Sequence, residues 1–237
     1  MEIGATPART APAAVIVAID GPSGTGKSST SKAVAARLGL SYLDTGAQYR
    51  AMTWWMISNG IDVTDAVAVA TAAGKPALVS GTDPAGPTIT VDGTDASAPI
   101  RTQDVTSKVS AVSAVPEVRT VITELQRSIA AAAVNGIVVE GRDIGTTVLP
   151  DADVKIFLTA SPEARAARRS GELTGKEATD VAATKDALIK RDAADSSRKT
   201  SPLAKAGDAI EVDTTELTLQ QVVESVVALV EEKRAAK

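Results

Sequence analysis

Residues Gly21 to Ser28 read Gly-Pro-Ser-Gly-Thr-Gly-Lys-Ser, and no other stretch limits so sharply what the chain can become. An apolar run, Val15-Ile16-Val17-Ala18-Ile19, leads into them and ends at Asp20; a helical pattern begins near Lys27. Strand, glycine-rich loop and helix in that order are the context that a phosphate-cradling P-loop requires. Its glycines let backbone N–H groups converge on phosphate oxygens, and the new helix adds its positive end. Gly21, Pro22, Ser23, Gly24, Thr25, Gly26, Lys27, Ser28 and Ser29 are therefore the expected nucleoside triphosphate contacts. Lys27 can reach the β- and γ-phosphates, and the Ser28 hydroxyl can hold Mg²⁺. A plain Gly/Ser turn between strand and helix would carry the same residues, but the flanks favour the nucleotide.

Around this loop, short apolar runs alternate with longer helical patterns, which predicts an α/β fold with a parallel sheet. The runs are Val15–Ile19, Ser41–Leu43, Ile137–Val139, Val154–Leu158 and Ala209–Val212. Most are apolar throughout, as strands covered on both faces should be. Helical spacing predicts helices over Lys27–Leu38, Glu117–Val134 and Leu219–Val230. Two segments break the rhythm. Residues 74–100 are rich in Gly, Pro and Asp, with strand-like pieces at Ala77–Ser80 and Thr88–Val91 and a hairpin signal at Asp92-Gly93. They predict a small β-insert in a lobe of about residues 45–110. Ser170–Thr179 is polar and suits either a mobile lid or an ordinary surface loop.

Composition removes several functional classes. The 237 residues contain no Cys and no His, so disulfides, cysteine nucleophiles, histidine bases and His-based zinc sites are excluded. Only two Trp, two Tyr and one Phe occur, and the net charge is −4. Stacking platforms and a basic face for nucleic acid are therefore not expected. No apolar stretch approaches a membrane span, and the first fourteen residues read as a loose tail. A soluble cytoplasmic enzyme is the simplest expectation.

Three further segments carry chemistry. Asp44-Thr45-Gly46-Ala47-Gln48-Tyr49-Arg50 leaves the carboxyl end of a strand, where α/β sheets bind ligands. Thr45 as N-cap, with Tyr49 and Arg50 one turn on, could receive a second phosphate; a capped helix with a surface arginine fits as well. Ile137-Val138-Val139-Glu140-Gly141-Arg142-Asp143 is an apolar strand ending in an acid, the shape in which a carboxylate assists Mg²⁺ or its waters, although Gly-Arg-Asp alone could be a turn. Arg191, Asp195 and Arg198 fall at i, i+4 and i+7, either a solvated ladder or a pair of phosphate clamps. Arg165, Arg168 and Arg169 share another helical face, and Arg is suited to bidentate phosphate contacts.

Taken in order, these segments resemble the bacterial cytidylate kinases. The resemblance runs from about Val15 to the C-terminus. It rests on Ile19-Asp20-Gly21-Pro22-Ser23-Gly24, Leu43-Asp44-Thr45-Gly46 with Tyr49-Arg50, Ile100-Arg101-Thr102-Gln103, Glu140 to Thr146, Lys155 to Leu158, and Lys190-Arg191-Asp192 with Asp195 and Arg198. Glu140 stands where relatives often have Asp, and Thr45 where many have Ser. The resemblance implies ATP- and Mg²⁺-dependent phosphorylation of CMP and dCMP on a three-layer P-loop NTPase fold. That fold has a central parallel five-stranded sheet, an inserted monophosphate-binding lobe with a small β-sheet, and a short lid. The implied division is a tail at 1–14, a core of 15–44, 111–169 and 180–237, a lobe at 45–110 and a lid at 170–179.

Carried over by position, Thr45, Arg50, Arg142 and Arg198 resemble the groups around the acceptor phosphate. Ser110, Arg119 and Asp143 match cytosine-reading positions, and Arg191 and Asp195 match those reaching the sugar. Tyr49 joins the substrate set, Arg165 and Arg168 the ATP set, and Lys27, Arg142 and Arg198 the catalytic set. Mg²⁺ falls to Ser28, with phosphates and water, and Glu140 behind it. A monomer acting on small nucleotides, without nucleic acid or membrane, is expected. The alternatives are another small-molecule P-loop kinase, such as one for a different monophosphate or shikimate, or a GTP-dependent switch, although no Asn/Thr-Lys-x-Asp motif is present.

Overall fold

The structure, a computed structural model, describes residues 14–172 and 180–236. The tail expected at 1–14 thus lies outside the described residues except for Ala14, and the lid expected at 170–179 does so from residue 173 on.

Five strands form one sheet: β1 (Val15–Asp20), β2 (Ser41–Asp44), β6 (Gly136–Gly141), β7 (Val154–Thr159) and β8 (Ile210–Asp213). Their order is β2-β6-β1-β7-β8, and every neighbouring pair is parallel. The apolar runs read from the sequence correspond to these strands within about two residues. Helices α1 (Lys27–Leu38) and α8 (Leu219–Ala235) cover one face. There Val34 and Ala35 meet Val222, Val226 and Val230 over Val17 and Ile19. On the other face Ala130, from α5 (Pro116–Ala132), packs with Leu43, Ile137, Val139 and Ile144. The middle of the sheet is buried between helical layers, which explains why β1 and β6 are apolar on both sides, whereas the edge strand β8 is largely exposed.

A second apolar cluster gathers α2 (Thr45–Ser58), α3 (Ala66–Ala72), α4 (Gln103–Ser113) and the N-terminal half of α5. Met52, Met56, Val112, Val118 and Ile122 are its centre. Leu78, Ile89 and Val91 attach the small antiparallel sheet to it. That sheet consists of β3 (Leu78–Ser80), β4 (Ile89–Val91) and β5 (Thr94–Asp95). The Asp92-Gly93 turn has both residues at positive φ, as a tight hairpin demands. Helices α6 (Pro162–Glu172) and α7 (Val181–Ser196) pack against each other and flank the segment read as a lid. Among the described residues, no helix is long and apolar enough to cross a membrane.

Candidate active site

The loop after β1 is shaped by two close approaches. Gly21 has φ 146°, and a Cβ there would lie 2.2 Å from the Leu158 carbonyl oxygen. Gly24 has φ 81°, and its Cβ would sit 3.0 Å from that of Arg165. Only glycine permits a loop this tight against β7 and α6. Helix α1 then starts with no side-chain cap, which leaves its first amides for an anion. Lys27 Nζ donates 2.6 Å to the Pro22 carbonyl, and Thr25 Oγ1 donates to the same oxygen at 3.0 Å. Burial, then Arg142, pulls the Lys27 ammonium well below its ordinary pKa. A phosphate would restore that charge and displace the loop carbonyl as partner.

Ser23, Lys27, Ser28 and Ser29 line a cleft of about 510 Å³. Gly21, Pro22, Gly24, Thr25 and Gly26 complete the loop without lining it. The cleft receives seven arginines and two lysines against four carboxylates, in a chain whose net charge is −4. Cations are concentrated here beyond what the local acids neutralise, which suits polyanionic ligands.

The arginines of α6 divide. Arg165 donates to the Ser23 carbonyl at 3.1 Å and pairs with Asp192, which also accepts the Ser23 N–H at 3.2 Å. Arg168 grips Thr214, at 2.5 Å to its carbonyl and 2.9 Å to its hydroxyl. Neither lines the cleft; Arg169 does. Glu163 is the acid just before these arginines, but it pairs with Lys185, and Arg165 takes its carboxylate from Asp192 on the following helix.

Across the cleft, the cap of α2 differs from expectation. Asp44, not Thr45, is the N-cap, accepting the Ala47 N–H at 2.9 Å. Thr45 is the first helical residue, and its hydroxyl donates 2.7 Å to the Glu140 carbonyl, tying α2 to the end of β6. Arg50 pairs with Asp44 at 2.9 Å. Burial works against the Asp44 carboxylate, but Arg50, the Ala47 amide and Arg101 hold it below the usual range.

Asp195 gathers a second group. Arg142 Nε donates to it at 3.1 Å, Arg198 pairs with its other oxygen, and Ser110 Oγ reaches that oxygen at 3.4 Å. Burial disfavours this carboxylate, yet Arg142 and Arg198 keep it below its ordinary pKa. Helix α7 ends at Ser196, so Arg198 arrives through the turn beyond it rather than along a helical face. With Asp195 only 2% exposed, the triplet is no solvated ladder. Arg191 lines the same wall, lowered to about 10 by burial and then by Arg142.

A third pair is deeper still. Arg119 and Asp143 are ion-paired, with side chains 4% and 6% exposed. Arg119 also donates 3.2 Å to the Ser113 carbonyl and lies 5.2 Å over the Tyr49 ring. Burial lifts the Tyr49 phenol to about 12, so it stays neutral. The result is a carboxylate beside a guanidinium, both opening on the cleft.

Glu140 ends β6 beneath these groups. Its Oε1 accepts the Tyr42 hydroxyl at 2.5 Å, and its Oε2 is buried without a hydrogen-bond partner. Burial, then Asp44, raises its pKa against the pull of Lys27. Among the described residues no three acidic groups form a metal cage. A cation could still lie between phosphates and water, as Mg²⁺ prefers. The orphaned Glu140 oxygen and the Ser28 hydroxyl fit that arrangement.

Sequence reasoning passed over four residues. Asp44 and Asp192 orient Arg50 and Arg165, and Arg101 and Arg169 line the cleft. Asp44, Arg101 and Asp192 lay within the quoted stretches without a role of their own, whereas nothing local ranked Arg169 above its neighbours.

The cytidylate kinase family model matches residues 17–232. A cytidylate kinase of Streptomyces avermitilis is 81% identical over 237 residues, covering 100% of both chains. One from Nocardia farcinica is 51% identical, covering 89% of this chain and 90% of its own. A solved structure, an uncharacterized protein from Eubacterium ventriosum, superposes with TM-score 0.51 at 12% identity over 93% of this chain and 99% of that one, a likeness of fold alone. On the family match and these full-length relatives, the chain belongs to the cytidylate kinase family.

Proposed function

We propose that the chain transfers the γ-phosphoryl group of ATP in line to the phosphate of CMP or dCMP. The observation that carries this is the buried Arg119–Asp143 pair opening on the same arginine-rich cleft as Lys27 and Ser28. One cleft thus offers a triphosphate loop, cations for a second phosphate and a donor–acceptor edge for a base. Cytosine presents an amino donor beside acceptors at N3 and O2, which complements a carboxylate next to a guanidinium. Uracil inverts the first two groups and would leave buried partners unpaired.

A phosphate monoester has a second pKa of about 6, so the acceptor is already an anionic nucleophile near neutral pH. No histidine base is required. Lys27 moves from the Pro22 carbonyl to the donor phosphates. Arg142 and Arg198 hold the acceptor phosphate and neutralise charge as it develops, with Arg50 and Thr45 completing that subsite. Arg191 and Asp195 orient the sugar, and Ser110 and Tyr49 line the base pocket. Arg165 and Arg168 shape the ATP side. Ser28, with phosphates and water and with Glu140 behind them, would hold Mg²⁺, which would supply charge neutralisation on the donor side.

A core of residues 15–44, 111–169 and 180–237, a lobe at 45–110 and a lid at 170–179 belong to the same reading. So do a monomer, since one chain supplies every residue named, and a cytoplasmic location among free nucleotides. A coupled ATP assay across CMP, dCMP, UMP, AMP and GMP tests it. CMP and dCMP should lead; preference for a purine or for UMP would contradict the base pocket.

A further inference from the structure

We propose that Asp20 is a positioning residue for cytosine selection: its carboxylate holds the turn that presents Asp143 to the acceptor base. The inference rests on Asp143 and Arg119 forming the base pocket.

Asp20 ends β1 immediately before the P-loop and is 5% exposed. It does not line the cleft. Its Oδ1 accepts the Ile144 N–H at 2.9 Å, and its Oδ2 accepts the Gly145 N–H at 2.8 Å. Those amides open the short π-turn Ile144–Val148, whose N-cap position is Asp143. An aspartate at an N-cap ordinarily turns its own carboxylate onto such amides. Asp143 makes no cap bond and is paired with Arg119 instead. Asp20 therefore performs, from another strand, the capping that would otherwise draw Asp143 out of the pocket. The far end of the turn is held by Arg127, at 2.8 Å to the Val148 carbonyl and 2.9 Å to that of Thr147.

Removing the Asp20 acceptor leaves two amides with one obvious substitute, the carboxylate of Asp143, because buried N–H groups must be paired. The charged groups acting on Asp20 are Asp143, from the turn, and Lys27, from the loop. The Lys155 stem packs at Gly145, and its ammonium is held by Asp208. Burial sets Asp20 at about 6, so acid converts one of its two acceptors into a hydroxyl.

The test compares wild type, Asp20→Asn and Asp143→Ala, with kcat/KM for CMP and UMP at saturating ATP, and KM for ATP. Asp20→Asn should lower the CMP:UMP ratio about ten-fold while KM for ATP stays within about two-fold. An unchanged ratio in Asp20→Asn, with a lowered one in Asp143→Ala, overturns the inference and spares the base pocket. An unchanged ratio in Asp143→Ala removes the pocket and the inference with it. A rise in KM for ATP at constant ratio assigns Asp20 to the P-loop and overturns the inference. If Asp20→Asn does not fold, the wild-type ratio still decides, because the titration of the two acceptor phosphates cancels in it. It should decline between about pH 7.5 and about pH 5.5; a flat ratio overturns the inference.

Discussion

The donor and acceptor halves of the cleft are built from different materials. The donor half is mostly backbone: glycines held against β7 and α6, an uncapped helix start, and one lysine waiting on a loop carbonyl. The acceptor half is mostly side chain. Arg50, Arg119, Arg142 and Arg198 are each already paired with a carboxylate, respectively Asp44, Asp143, Asp195 and Asp195. A backbone site grips any triphosphate of the right shape, whereas a side-chain site can distinguish one base from another. The carboxylates keep the arginines aimed before the substrate arrives, which lowers the ordering cost of binding.

The largest effect that this contrast predicts falls on the donor side. Lys27→Ala should lower kcat by about 10³-fold or more with the melting temperature nearly unchanged. Near-normal turnover in a folded variant would break the assignment. On the acceptor side, Arg198→Ala should lower kcat/KM for CMP by about 10²-fold, and Arg198→Lys should recover little because a planar fork is lost. Equal losses in KM for ATP would erase the distinction between the halves.

Asp20 joins the two halves, and its titration reports on that junction. Burial raises it from 3.8 to about 6, so the native state holds its proton more tightly than the unfolded chain. The stability it contributes is full below about pH 4 and lost as pH rises through about 6. Wild type minus Asp20→Asn should therefore lose about 3 kcal/mol of unfolding free energy across that window. A difference independent of pH would mean that the buried carboxylate is not strained in this way. Smallest is Ser28→Ala, for which half-saturation by Mg²⁺ should rise about ten-fold at fixed ATP. An unchanged Mg²⁺ requirement would exclude the hydroxyl as a ligand.

The same contrast decides what the sequence disclosed. The P-loop is contiguous, and its chemistry depends on glycine spacing, so Gly21 to Ser28 could be read directly. The central strands β1 and β6 were equally plain because burial on both faces leaves an unbroken signal. The acceptor half is scattered over elements from α2 to α7. Only resemblance brought Ser110, Arg119, Asp143 and Asp195 together before the fold did. The cap of α2 was misplaced by one residue because Asp and Thr are both good caps, and the choice was made by the Thr45 contact with Glu140, a tertiary event. Asp192 stood in the quoted Lys190-Arg191-Asp192 stretch but received no role for a similar reason: its partners, Ser23 and Arg165, are distant in the chain.

The central claim is that base selection resides in the Arg119–Asp143 pair and is separable from triphosphate binding. Its most direct test is kcat/KM for CMP and for UMP in wild type and Asp143→Ala, with KM for ATP measured in both. The account predicts a CMP:UMP ratio lower by about 10–10²-fold in the variant, with KM for ATP within about two-fold. An unchanged ratio would contradict it.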